Sequence, residues 1–120
     1  MSTRNRPERV GHMVQQLLAE MFARGMRDPR IGFVTITSVK MSPDLREARV
    51  YWTVHGSDQR EHTAKGLENA RGFLRREIGL HLKLRLTPEL YFTYDEAIDR
   101  GERIEQLIRQ VHDEDKDRNT

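Results

Sequence analysis

From Ala48 to His55 polarity alternates at every residue, with Ala48, Val50, Trp52 and Val54 set against Arg49, Tyr51, Thr53 and His55. Successive side chains of a strand point to opposite faces of a sheet, so one face of this strand packs and the other meets water. A chain built around such a strand has to cover one side of its sheet and leave the other wet. Helices with a single apolar stripe do that. The first is legible behind Pro7, a residue suited to the first helical turn. Val10, Met13, Val14, Leu17, Leu18, Met21 and Phe22 then recur at helical spacing, and Gly25 stands as a C-terminal stop. Asp28-Pro29-Arg30 reads as a turn. The β-branched run over residues 33–39 reads as a strand. Ser42-Pro43-Asp44 turns it back toward Ala48, and so short a connection predicts an antiparallel pair.

Gly56-Ser57-Asp58 offers capping residues for a second helical stretch, whose stripe is Ala64, Leu67, Ala70, Leu74, Ile78 and Leu82. Gly72 inside it weakens the helix by roughly 1 kcal/mol relative to alanine, and a break or kink is expected at Ala70-Arg71-Gly72. Residues 80–86 alternate like a strand while continuing the helical stripe. They are taken as a helix end running into an extended stretch before Pro88. A third strand is expected over residues 90–94 and a last helix from Asp99 to Val111, on Ile104, Leu107, Ile108 and Val111. The resulting order is α-β-β-α-α-β-α, an α+β fold with helices on one face of a three-stranded sheet. Residues 1–5 are expected to be flexible, 6–112 to form the domain, and the wholly polar 113–120 to be a disordered tail.

Several function classes lose their footing here. The chain has 120 residues, no cysteine and no apolar run near the ~20 residues of a membrane span, and its first residues lack the apolar core of a secretory leader. A cytoplasmic protein of one domain is expected. The histidines His12, His55, His62, His81 and His112 never fall four apart, no glycine loop precedes a Lys-Ser/Thr pair, and Asp58, Glu61 and His62 read as the polar first turn of a helix. No catalytic residue, metal, cofactor or small-molecule substrate is therefore expected.

Charge is the informative feature. Residues 1–90 hold 16 Lys/Arg against 10 Asp/Glu, while residues 91–120 hold 5 against 9, so a basic body precedes an acidic end. Seventeen of the 21 basic residues are arginine, which suits bidentate phosphate contact and stacking. Arg71, Arg75, Arg76, Lys83 and Arg85 face a single acid, Glu77, between residues 70 and 85. On one helix Gly72, Arg76, Gly79 and Lys83 share a face, where two glycines would admit a phosphodiester backbone between cations. The same spacing equally suits a solvated basic face whose glycines serve packing. Arg6 and Arg9, with Arg4, form a second basic group where cations oppose the helix dipole. Trp52 belongs to the packed face, and Tyr51 points the other way, available to stack on a base.

Six fragments in order, Arg6-Pro7-Glu8-Arg9-Val10, residues 27–37, residues 42–51, Asn69-Ala70-Arg71-Gly72-Phe73-Leu74-Arg75, residues 84–90 and Gly101-Glu102-Arg103-Ile104 behind Asp95, resemble the ribosome-binding factor A family. Ala97 departs from the serine common at that turn. The resemblance implies a type II KH-like fold in which an Ala-x-Gly kink, here Ala70-Arg71-Gly72, replaces the Gly-x-x-Gly loop that clamps single-stranded RNA. It also implies a non-enzymatic protein, monomeric when free, that binds the immature small ribosomal subunit and its 16S rRNA near the decoding region. Such a factor assists late maturation and 5′-end processing, supports growth in the cold and leaves before translation. RNA contact is expected at Arg6, Arg9, Arg71, Gly72, Arg75, Arg76, Lys83 and Arg85. The competing expectation is a protein-interaction module of the translation apparatus with no direct RNA contact.

Overall fold

The computed structural model describes residues 6–26, 31, 34–55 and 59–97. The expected last helix, the tail, residues 1–5, the Asp28-Pro29-Arg30 turn and the Gly56-Ser57-Asp58 cap lie outside them.

The first helix, α1, spans Arg6–Arg24, with Pro7 in its first turn as expected. Val10, Val14, Leu18 and Phe22, four residues apart, are its buried line. Gly25, at φ 93°, takes the left-handed conformation that ends a helix without strain, and its N–H donates to the Phe22 carbonyl at 3.1 Å. Gly11 lies in the same buried stripe, and a Cβ built there would sit 2.7 Å from the Val39 carbonyl oxygen. The absence of a side chain at Gly11 is what lets α1 lie directly on the sheet.

Strands β1 (Val34–Met41) and β2 (Glu47–Val54) pair antiparallel. The register slips between Ile36 and Ser38, so Thr37 is an extra residue. That slip lets Val34 and Ile36, then Val39 and Met41, all turn toward the helices although their numbers change parity. The hairpin is closed by the Ser42 N–H donating to the Glu47 carbonyl and the Leu45 N–H to the Ser42 carbonyl, each at 2.9 Å, and by side chains. The Ser42 hydroxyl donates to Asp44 Oδ1 at 2.7 Å and accepts from the Glu47 N–H at 3.0 Å. The Arg46 N–H donates to the same Asp44 oxygen at 3.1 Å. The Ser42 hydroxyl, then the Arg46 amide, hold the Asp44 carboxyl below the usual carboxylate range.

Helix α2 runs without interruption from Arg60 to Leu82. The expected pair of helices is therefore one, and the described order is α-β-β-α-β. The glycine penalty is about 1 kcal/mol, whereas Leu67, Leu74 and Ile78 on either side of Gly72 are completely buried. Burying one such side chain contributes about 1.5–3 kcal/mol, so packing outweighs local propensity. Strand β3 (Glu89–Tyr94) then adds to β2 in parallel, giving the order β1-β2-β3. A parallel neighbour needs a long crossover, and α2 is that crossover.

α1 lies on β1 and α2 on β3. Ala48, Val50 and Trp52 of the alternating strand are buried beneath them, as expected, together with Ile36 and Leu90. Trp52 meets Tyr94 edge to face, with ring centroids 5.1 Å apart.

Candidate nucleic-acid interface

The second half of α2 and the segment after it carry the densest basic group. Gly72, Arg75, Arg76, Gly79, Leu80 and Thr87 line one open cleft of about 490 Å³. The helical spacing that placed Gly72, Arg76 and Gly79 on one face is thus realised. Lys83 is the exception: it caps α2 in the left-handed conformation (φ 50°, ψ 41°), so the helical period ends before it. Sequence spacing alone carried the helix one residue too far, because the stop is a lysine and not a glycine.

The two glycines do different work. A Cβ on Gly79 would meet Thr87 Oγ1 at 2.7 Å, so Gly79 lets the returning segment lie close to the helix. A Cβ on Gly72 would meet nothing within 4 Å. Gly72 is therefore the position where the helix backbone stands bare on the surface.

The cations separate in the same way. Arg75 turns inward along the cleft floor. Its Nε donates to the Pro88 carbonyl at 3.3 Å and its Nη2 to the Thr87 carbonyl at 3.2 Å, and Nη2 also lies 3.2 Å from Glu89 Oε1. This fork ties α2 to the start of β3, a use that only a planar guanidinium with fixed donors serves well. Arg71 pairs with Glu68 one turn back at 3.5 Å. Arg76, Lys83 and Arg85 are exposed and make no ion pair among the described residues. Arg6 and Arg9 are exposed on the first turn of α1 and line no part of this cleft.

Sequence reasoning missed two contributors and the role of a third. Leu80 and Leu86, 65% and 54% exposed, place apolar surface beside the cations. The ambiguous alternation over residues 80–86 concealed their exposure. Nothing in the local pattern could show that Arg75 holds carbonyls twelve and thirteen residues away. Among the described residues no group of three or more His, Asp or Glu side chains converges as a metal site, and no helix is long and apolar enough to cross a membrane.

These features define the class: an α+β domain with a mixed three-stranded sheet, two helices on one face, and a bare-backed basic cleft where the crossover helix exits. Residues 6–108 match the family model described as ribosome-binding factor A. The Geobacter sulfurreducens ribosome-binding factor A is 50% identical over 111 residues, covering 92% of this chain and 94% of that protein. The crystal structure of ribosome-binding factor A from Thermus thermophilus superimposes with a TM-score of 0.65 at 23% identity, over 73% of this chain and 94% of that one. A homology model of the Thermus thermophilus factor, fitted into the cryo-electron-microscopy map of its complex with the 30S subunit, gives 0.61 at 24% identity, over 72% and 91%. The chain belongs to the ribosome-binding factor A family.

Proposed function

We propose that this protein is a non-catalytic assembly factor that binds the immature small ribosomal subunit through its 16S rRNA. Exposed Arg76, one turn along α2 from the bare backbone of Gly72, carries the reading, with exposed Lys83 and Arg85 at and beyond the end of the same helix. Cations without carboxylate partners among the described residues, next to a helix surface with no side chain, suit a phosphodiester backbone that approaches closely. Such contacts supply affinity and register without reading sequence. Arg71 joins them once its exposed pair with Glu68 opens, which costs little, since surface ion pairs contribute about 0–1 kcal/mol. Arg75 acts by holding the Thr87–Glu89 segment against α2, which fixes the far end of the loop that carries Arg85. Arg6 and Arg9 provide a separate contact at the start of α1.

Family membership supports the ribosome as partner, and the fitted Thermus thermophilus relative, seen with a 30S subunit, supports the small one. The domain is read as type II KH-like, with Ala70-Arg71-Gly72 standing where a Gly-x-x-Gly loop would clamp RNA. Binding one rRNA conformation better than its competitors shifts the population toward it. That shift is how a protein with no reaction of its own assists late maturation and 5′-end processing. Release before translation follows when the mature rRNA no longer presents the preferred shape.

The test is sedimentation of the purified protein with small subunits, with large subunits as control. Wild type is expected to travel with small subunits alone, and Arg76→Gln/Lys83→Gln/Arg85→Gln to remain at the top. Co-sedimentation of both would move the site to Arg6 and Arg9. Failure of wild type to bind would defeat the assembly-factor reading.

A further inference from the structure

The face of the sheet turned away from the helices is composed unlike an ordinary solvated surface. Strand register places Lys40, Arg49 and Tyr91 in one row across β1, β2 and β3, and Ser38, Tyr51 and Thr93 in the next row on that face. Every one of these residues is exposed or half-exposed, Tyr91 to 46%. Lys40 and Arg49 are direct cross-strand partners, and like charges placed so are destabilising in the free protein. Neither makes an ion pair among the described residues. Lys40 Nζ instead lies 5.6 Å from the centre of the Tyr51 ring. Lys40, Arg49 and Tyr91 border a shallow depression of about 190 Å³ together with Met41, Ser42 and Glu47. Glu89, at the near end of β3, is engaged by Arg75, so Glu47 is the acid of this depression left to offset the two cations.

We infer that this open sheet face is a second RNA contact, taking unpaired nucleotides of a single strand. Tyr91 and Tyr51 lie on adjacent parallel strands in successive rows, diagonal neighbours roughly 8 Å apart from strand spacing and rise, so each ring can receive one base. Exposed aromatics on a sheet stack bases whatever their sequence, and cations beside them meet the connecting phosphates. An anion between Lys40 and Arg49 would also relieve their mutual repulsion. A duplex does not fit, because its bases are already stacked and paired. The inference rests on the ribosome-binding reading but concerns a different face, so the two can fail separately.

The experiment is fluorescence anisotropy of a labelled single-stranded oligouridylate against the full chain, as a function of salt, with a duplex RNA of equal length as competitor. Tyr91→Ala is expected to weaken binding roughly tenfold with the salt slope unchanged, and Tyr51→Leu to do so while keeping its apolar bulk. Lys40→Gln/Arg49→Gln is expected to lower the slope of log K against log salt by about 1.4. Thermal melts confirm that each variant is folded. Wild-type affinity in all face variants, with Arg76→Gln weakened, would overturn the inference and leave the α2 site standing. Loss of small-subunit binding in the face variants, with oligouridylate binding intact, would assign the face to a protein and also overturn it. If wild type binds small subunits but no oligouridylate, and Tyr91→Ala co-sediments unchanged, the inference alone fails. If wild type binds neither, the functional reading fails with it.

Discussion

Replacing Gly72 and Gly11 by alanine should shift stability in opposite directions, although both lie inside helices. Alanine gains roughly 1 kcal/mol over glycine in a helix interior through lower unfolded-state entropy and better propensity. At Gly72 the new Cβ meets nothing within 4 Å, so the full gain of about 1 kcal/mol should appear, raising Tm by about 4 °C in a chain of this size. At Gly11 the Cβ would lie 2.7 Å from the Val39 carbonyl oxygen, against roughly 3.3–3.6 Å for ordinary C–H···O contacts. That oxygen belongs to a strand and cannot rotate aside, so α1 must retreat by roughly half an ångström or more, undoing its packing. Overpacking costs about 1–3 kcal/mol, and from the upper part of that range the net should be a loss of about 1–2 kcal/mol. Urea denaturation of the two variants with matched m-values measures both. Equal stabilisation by the two substitutions would refute the argument that Gly11 sets the helix–sheet distance. The Gly72 variant carries a functional arm as well. A methyl group on the bare backbone should weaken small-subunit binding while the protein grows more stable. Unchanged binding would show that no RNA backbone passes over Gly72.

Arg75→Ala should destabilise the domain by about 1–2 kcal/mol, the value of charge-assisted hydrogen bonds discounted for a half-exposed side chain. Arg75→Lys should recover little, since lysine cannot reach both carbonyls and Glu89 at once, and urea midpoints of the three proteins decide this. Asp44 makes the Ser42–Glu47 turn sensitive to acid. Its carboxyl is held below the usual range in the folded state, so the stability it adds is present above the ordinary carboxylate pKa and is lost as pH falls through the lowered folded value. Asp44→Asn should therefore be less stable than wild type at neutral pH, and the gap should narrow at low pH in urea midpoints measured along a pH series.

The parts of this fold legible in the sequence are those that repeat. The four-residue spacing of Val10, Val14, Leu18 and Phe22 and the two-residue spacing of Ala48, Val50 and Trp52 each mark a buried face directly, because burial and backbone period coincide there. Gly25 was legible as a stop because a positive φ favours glycine. Lys83 and Leu45 adopt the same left-handed region without being glycine, so nothing in their identity announced it. The β1 irregularity at Thr37 exchanges the parity of the strand and is visible only once its partner is in place. The parallel addition of β3 and the continuity of α2 through Gly72 are decided by tertiary packing, which overrides a local penalty of about 1 kcal/mol.

The same distinction sorts the candidate site. Composition offers five cations between Arg71 and Arg85 as equals, and the structure makes them unequal. Arg75 is engaged with the Thr87 and Pro88 carbonyls and Glu89, and Arg71 is partly neutralised by Glu68, leaving Arg76, Lys83 and Arg85 open. Each phosphate neutralised contributes about 0.7–0.9 to the slope of log K against log salt. These three cations should then contribute a slope of about 2–3, and Arg71, once its pair with Glu68 opens, about 0.7–0.9 more. The contribution of the three is read as the slope lost in Arg76→Gln/Lys83→Gln/Arg85→Gln relative to wild type. Adding Arg75→Gln should loosen the Thr87–Glu89 segment and lower stability, without taking away a further unit of slope. An extra drop of about 0.7–0.9 with that fourth substitution would mean that Arg75 leaves its carbonyls to meet phosphate, and that its place in the free protein is a resting position for an RNA-binding side chain.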